Sequence, residues 1–263
     1  MELVVLGSGT ANPHPARSSA GFWLEISGGT IMLDFSASAL HRLAQERLDW
    51  SNLDAVWISH FHLDHCCGLP AYLFATRHAP ETRDRKQPLT IFGARGITRL
   101  LELFDEAADG KLFKQPFPVN IVEIENLNAF EILPGVRAVA LSTPHTDDSH
   151  AIRMEDASGT LVYTSDTGFG KEVAAFSKGA DLMIVESSFF KDKKVDIHLE
   201  LAEAMYLIRK AHPKRAMLTH FYSEWDDVDF NTEICKFDPV CEVLQAVDGL
   251  RIDVPEQVTG DKE

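Results

Sequence analysis

The sequence predicts an α/β protein built as a four-layer sandwich, two β-sheets packed face to face with helices outside. Three observations carry this expectation. Short apolar runs broken by glycine turns recur in an early stretch and again from Val119 onward, as strands do. Each stretch also contains segments with apolar side chains at helical spacing. No linker-like segment separates the two stretches, so residues 1–263 are expected to form a single domain.

Taken in order, residues 3–6, 21–26 and 30–34 read as strands, broken by Gly7-Ser8-Gly9 and Gly28-Gly29. Residues 39–47 read as a helix. Ala55-Val56-Trp57-Ile58-Ser59 is an apolar run of the kind that marks a buried strand. A helix starts within residues 68–74. Another covers 96–108, where Leu100, Leu101 and Phe104 give an apolar face. The second stretch supplies strands at 119–124, 129–133, 136–142, 151–155, 161–165 and 181–185. A helix over 198–211 sets Leu201, Ala204, Met205 and Ile208 at helical spacing, and 216–219 is a short strand.

Composition narrows the function classes. The chain has 263 residues, 45% of them hydrophobic, enough for a sizeable core. No apolar stretch reaches the length of a bilayer span. The N-terminal Met1-Glu2-Leu3-Val4-Val5-Leu6-Gly7 carries an acid, and its apolar run is too short for a signal peptide. A soluble cytoplasmic protein without a membrane partner is expected. Cys66, Cys67, Cys235 and Cys241 form no Cys-x-x-Cys pair and no disulfide framework. Cys66 and Cys67 are expected as small buried side chains. The net charge of −15 argues against a broad basic face for nucleic acid. Arg83-Asp84-Arg85-Lys86 and Lys191-Asp192-Lys193-Lys194 are local basic clusters, read as solvated loops, with contact to a phosphate the competing reading of Lys191, Lys193 and Lys194.

The segment that points to chemistry is His60-Phe61-His62-Leu63-Asp64-His65. It packs three imidazoles and a carboxylate behind the 55–59 run, at a strand's C-terminal end, where α/β proteins usually place their sites. Nitrogen and carboxylate oxygen suit zinc and similar divalent ions. His60 and His62 are two apart, so in an extended segment they point the same way and can chelate one ion. Asp64 and His65 sit past a turn and can face a second. The helical zinc motif, with histidines four apart, is absent. Three further candidates stand just after apolar runs: His145, Asp166 and His220.

This series of motifs resembles the metallo-β-lactamase-fold hydrolases, and within them the ribonuclease Z-like phosphodiesterases. Their pattern is a His-x-His-x-Asp-His block, a later His, an Asp and a last His. The resemblance implies that His60, His62 and His145 hold one ion, that Asp64, His65 and His220 hold the other, and that Asp166 bridges them. A bridging Asp there disfavours β-lactam hydrolysis. The opening Leu6-Gly7-Ser8-Gly9-Thr10-Ala11-Asn12-Pro13, followed by Arg17-Ser18-Ser19, is similar to the branch's glycine-rich turn. Leu33-Asp34-Phe35-Ser36 resembles its first Asp motif, which implies that Asp34 orients a ligand histidine. Capping of the following helix is the competing reading. Glu186-Ser187-Ser188-Phe189 and His198 resemble the branch's proton-donating Glu–His pair, with a helix cap as the competing reading of His198.

The expected activity is hydrolysis of a phosphodiester by a hydroxide shared between two divalent ions: zinc, or manganese or iron on the same ligands. Asp64 would hold or accept the water's proton. His198, polarised by Glu186, would protonate the leaving oxygen. The ribonuclease Z arm that grips tRNA is inserted between the positions of His145 and Asp166. Here residues 146–165 have room only for a plain hairpin. That makes tRNA a doubtful partner and favours a small or unstructured phosphodiester, such as a nucleotide or cyclic phosphate. Two alternatives stay open: a lactone or thioester hydrolase on the same metal core, and a non-enzymatic metal-binding sensor. Because relatives of this branch are often dimers, a homodimer is a further expectation.

Overall fold

Strands that are apolar on both faces need a covering layer on each side, and the chain supplies them. A computed structural model describes residues 1–254; residues 255–263 of the expected domain lie outside the described residues. The first sheet draws on β1 (Glu2–Gly7), β2 (Gly21–Ile26), β3 (Gly29–Leu33), β4 (Ala55–Ile58), β5 (Leu89–Ala94) and β6 (Val119–Ile124). The second draws on β7 (Ala129–Leu133), β8 (Val136–Ser142), β9 (His150–Glu155), β10 (Thr160–Tyr163), β11 (Leu182–Glu186), β12 (Arg215–Thr219) and β13 (Glu242–Gln245). A last strand, β14 (Arg251–Asp253), returns to pair antiparallel with β1. Helices α1 (Ala37–Gln45), α2 (Leu63–Cys66), α3 (Gly68–His78) and α4 (Ile97–Ala107) accompany the first sheet. The second has α5 (Lys171–Phe176), α6 (Leu201–Ala211) and α7 (Phe230–Cys235).

The strand orders are β14-β1-β2-β3-β4-β5-β6 and β13-β12-β11-β10-β9-β8-β7. In each sheet a parallel set, β3 to β6 and β10 to β13, brings several strand C-termini to one rim. Period-two alternation then sorts side chains between layers. Leu3, Val5, Ile31, Leu33 and Trp57 enter the core between the sheets, whereas Val4, Leu6, Met32, Val56 and Ile58 pack under α1, α3 and α4. Each fully buried aliphatic side chain contributes ~1.5–3 kcal/mol. Aromatic pairs tie the sheets together: Trp57 stacks on Phe130 at 6.2 Å, and Phe22 meets Tyr163 edge-on at 5.3 Å. The four-layer sandwich expected from sequence is therefore the observed architecture. Among the described residues no helix is long and apolar enough to cross a membrane.

Several local expectations are corrected. The cap of α1 is Ser36, whose Oγ accepts from Ala39 N at 3.2 Å, not Asp34. The cap of α6 is Glu200, in a reciprocal capping box with Glu203, not His198. Arg85 is not solvated: it is buried, and its guanidinium donates to the carbonyls of Ser51, Leu53, Gln87 and Pro88. Four carbonyl partners offset its desolvation. Cys66 is buried as expected, and burial pushes its thiol up to about 12. Cys67 is only half-buried and faces a surface cleft.

Candidate metal centre

Six strands end at the common rim, and each places a candidate side chain at its end or just beyond. Asp34 follows β3, His60 follows β4, His145 follows β8, Asp166 follows β10, Glu186 closes β11 and His220 follows β12. Three residues here have left-handed backbone: Asp34 (φ 56°), Ser165 (φ 54°) and His220 (φ 63°). Such conformations are uncommon outside glycine and gather where the surroundings force them. They stop the strands and turn the chain into the site. The block after β4 is not a loop throughout, because Asp64 and His65 lie in the short helix α2. Its entry is interlocked with the Asp34–Ser36 turn: Phe35 N donates to His65 O at 2.6 Å, and Gly68 N to Phe35 O at 2.8 Å.

The hydrogen bonds at Nδ1 decide which nitrogen each histidine offers. His65 Nδ1 lies 2.7 Å from Asp34 Oδ2, and His145 Nδ1 lies 2.8 Å from Ile197 O. Both partners are acceptors, so both nitrogens donate. His60 Nδ1 faces Ser59 Oγ at 3.0 Å, and that hydroxyl already donates to Asp34 Oδ2 at 2.8 Å. His220 Nδ1 faces Ser188 Oγ at 2.8 Å, and Ser188 donates to Glu186 Oε2. With each serine proton already used, these two histidines must donate as well. Four Nε2 lone pairs are thus left for the interior of the site.

Those lone pairs converge. His60, His62, His145 and Asp166 each offer a ligand atom, all within 4.8 Å of one another, and Asp64, His65 and His220 do the same. Asp166 Oδ2 lies 3.3 Å from His220 Nε2, 3.4 Å from His65 Nε2 and 3.8 Å from both His60 and His145 Nε2. Asp64 Oδ2 is 3.6 Å from His65 Nε2 and 3.8 Å from His220 Nε2. His62, exposed to solvent, brings Nδ1 to 3.1 Å from His145 Nε2. The Nε2 atoms of His60, His65 and His220 are buried without a hydrogen-bond partner. Each such orphan costs ~1–3 kcal/mol, so a cation among them resolves all three and fits the donor set.

Charge reinforces this. Burial pushes His60 well below the usual imidazole range, with the His65 charge adding to it, and burial likewise lowers His145. Burial also opposes charge on His65, yet Asp166 and Asp34 outweigh it and hold His65 well above that range. Asp166 resists burial through His220 and His65, which keep it well below the usual carboxylate range.

The expected proton-donating pair is also assembled. His198 Nδ1 lies 2.9 Å from Glu186 Oε1, and the ring sits 4.8 Å from His145 and 5.4 Å from His220. Burial lowers its pKa, but the hydrogen bond and charge of Glu186 win and raise it. Glu186 is buried and accepts from Thr167 N, Ser188 N and Leu199 N as well. Asp34 is a similar hub, accepting from Ser59 N and from the Tyr163 hydroxyl at 2.6 Å. A cleft of about 530 Å³, lined by Ala11, Ser19, Ala37, His62, Leu63, Asp64 and Cys67, opens above.

Sequence reading missed Ser59 and Ser188, whose hydroxyls tie His60 and His220 to the two carboxylate hubs, and Tyr163 and Ser165, whose hydroxyls donate to Asp34 and Ser59. It also missed Asp248, which accepts from Ser8 N, Ser8 Oγ and Ser18 N and so holds the N-terminal glycine-rich turn. For the serines the available signal was adjacency: Ser59 precedes His60, and Ser188 lies within the Glu186 motif. Lys193, expected in a solvated loop, pairs with Glu203 at 2.7 Å and donates to His198 O at 3.0 Å.

Known proteins bear on this geometry. The sequence profile of the beta-lactamase superfamily domain matches residues 30–221. Ribonuclease Z of Ignicoccus hospitalis is 24% identical over 277 residues, spanning 86% of this chain and 89% of that protein. The metallo-beta-lactamase fold protein YhfI from Bacillus subtilis superposes with a TM-score of 0.77 at 22% identity, covering 96% of this chain and 99% of that one. The short form of human tRNase Z gives 0.75 at 20% identity, covering 97% and 100%. Residues 146–165 do contain the plain β9–β10 hairpin, but this full-length match gives the doubt about tRNA no support. Because the profile covers most of the chain, the protein belongs to the beta-lactamase superfamily domain family: it has the metallo-β-lactamase fold, ribonuclease Z proteins are among its relatives, and it is equipped as a metal-dependent hydrolase.

Proposed function

We propose that the chain is a phosphodiesterase working with two divalent ions, zinc by its imidazole and carboxylate donors, with manganese or iron suited to the same set. The observation that carries this reading is that four histidines use Nδ1 on outside partners and aim Nε2 at Asp64 and Asp166. His60, His62 and His145 would hold one ion, Asp64, His65 and His220 the other, with Asp166 between them. When bound, such ions acidify water toward neutral pH and offset the charge of a phosphate. Two carboxylates against two dications leave the site positive, which suits an anionic diester.

The chain's own residues complete the reaction. The Asp64 side chain keeps 11% exposure, at the cleft, where it orients water and takes up its proton. Glu186 fixes His198 through Nδ1, so that Nε2 delivers its proton to the leaving ester oxygen and the ring returns neutral. Asp34 orients His65, and Ser188 orients His220.

A parallel assay of bis(p-nitrophenyl) phosphate, a lactone and a thioester, each with added zinc or manganese, tests this reading. The diester is expected to turn over fastest. His198→Ala should lower kcat by roughly 10²–10⁴-fold on a diester with an alkoxide leaving group, and far less on bis(p-nitrophenyl) phosphate, whose phenolate leaves unprotonated, with metal content unchanged. Turnover of lactone or thioester beside an inert diester would overturn the assignment.

A further inference from the structure

Away from the metal site, one cleft combines unpaired cations with exposed aromatic rings. It lies between α5 and α6, has a volume of about 360 Å³ and is lined by Lys171, Ala174, Ala175, Lys178, Tyr206 and Lys210. The alanines leave room beside the Tyr206 ring, which is 38% exposed. Phe169, 39% exposed, meets that ring at 5.4 Å, and Lys210 Nζ stands 5.4 Å from its centroid. Elsewhere Lys193, Lys214 and Lys236 pair with carboxylates, whereas among the described residues Lys171, Lys178 and Lys210 do not. The nearby acid Glu172 is turned back over Gly170. In a chain of net charge −15, this is a local reversal of sign.

The chain links the cleft to the site. Phe169 follows Asp166 by three residues, and Gly168 N donates to Pro144 O, next to His145, at 2.8 Å. The helices α5 and α6 precede β11 and β12, which run toward the rim, so both helices lead away from it. Phe169, in contact with Tyr206, thus lies between the Asp166–His145 corner and the cleft, and α5 and α6 lead the cleft away from the rim.

We propose that the α5–α6 cleft binds a single-stranded nucleic-acid segment attached to the scissile phosphodiester. Tyr206 and Phe169 offer ring faces on which bases stack, and the three lysines are placed for backbone phosphates. No amide or carboxylate side chain lines the cleft to read base edges, so the binding is sequence-tolerant. The substrate class follows from the phosphodiesterase reading; the binding itself does not depend on it.

The test uses fluorescein-labelled oligouridylate for binding and cleavage, and bis(p-nitrophenyl) phosphate as an ester too small to reach the cleft. Tyr206→Ala should weaken oligouridylate binding and raise its KM by about tenfold, a base-stacking effect. The combined Lys171→Glu, Lys178→Glu and Lys210→Glu variant should do at least as much and flatten the log–log salt dependence by ~2. Both variants should hydrolyse the small ester as the unaltered chain does. No binding by the unaltered chain, or equal binding by all three proteins, overturns the cleft. Should neither ester be hydrolysed while oligouridylate binds and the variants lose it, the phosphodiesterase reading falls and the cleft stands.

Discussion

A histidine usually offers a metal one nitrogen, so the partner of its other nitrogen separates a ligand from a bystander. Here four histidines share a solution in which an oxygen outside the site holds the Nδ1 proton. His198 uses Nδ1 the same way, on the Glu186 carboxylate at 2.9 Å, and the hydrogen bond and charge of Glu186 raise its pKa against burial. A donor with a raised pKa stays protonated to higher pH, so activity should be lost as pH climbs through that raised value. Glu186→Gln keeps the shape and removes the charge. The basic limb of the kcat/KM profile should then move to lower pH, and an unmoved limb would show that Glu186 does not govern His198. The candidate ligand residues that the structure gathers stood out in the sequence because their chemistry is rare and four of them fall in one short block. Ser59, Ser165, Ser188 and Tyr163 were not, because hydroxyls are common and what they face is fixed by strands far apart in the chain, as in the 2.6 Å contact from Ser165 to Ser59.

At the level of elements, the site depends on how tightly α3 seats on the Asp34–Ser36 turn. A Cβ on Gly68 would lie 2.2 Å from Ser36 O and 2.8 Å from Phe35 O, both backbone atoms that cannot rotate aside. Gly68→Ala must therefore separate the turn carrying Asp34 from the segment carrying His65. Overpacking of this kind costs ~1–3 kcal/mol, so the thermal midpoint should fall by roughly 2–10 °C and metal affinity should fall with it. A variant with unchanged midpoint and affinity would show that the contact is not critical. Central strands such as β1, β2 and β4 were legible because burial on both faces leaves almost no polar residue to blur the run. The strand β5 was missed where Thr90 and Gly93 interrupt its run. The short α5, α7, β13 and β14 were missed because three to six residues carry too little periodicity.

Across the whole molecule, the two sheets divide the candidate ligands. The segment after β4 in the first sheet, ending in α2, carries His60, His62, Asp64 and His65; loops of the second carry His145, Asp166 and His220. The sequence made both sets visible, but only packing of one sheet on the other brings them within reach. The central claim is that this shared rim is a two-ion centre. It is tested most directly by stripping the protein with chelator, titrating zinc and counting bound metal by elemental analysis. Two ions per chain are expected, falling below two in Asp166→Ala. Saturation at one ion or none in the unaltered chain would contradict the claim.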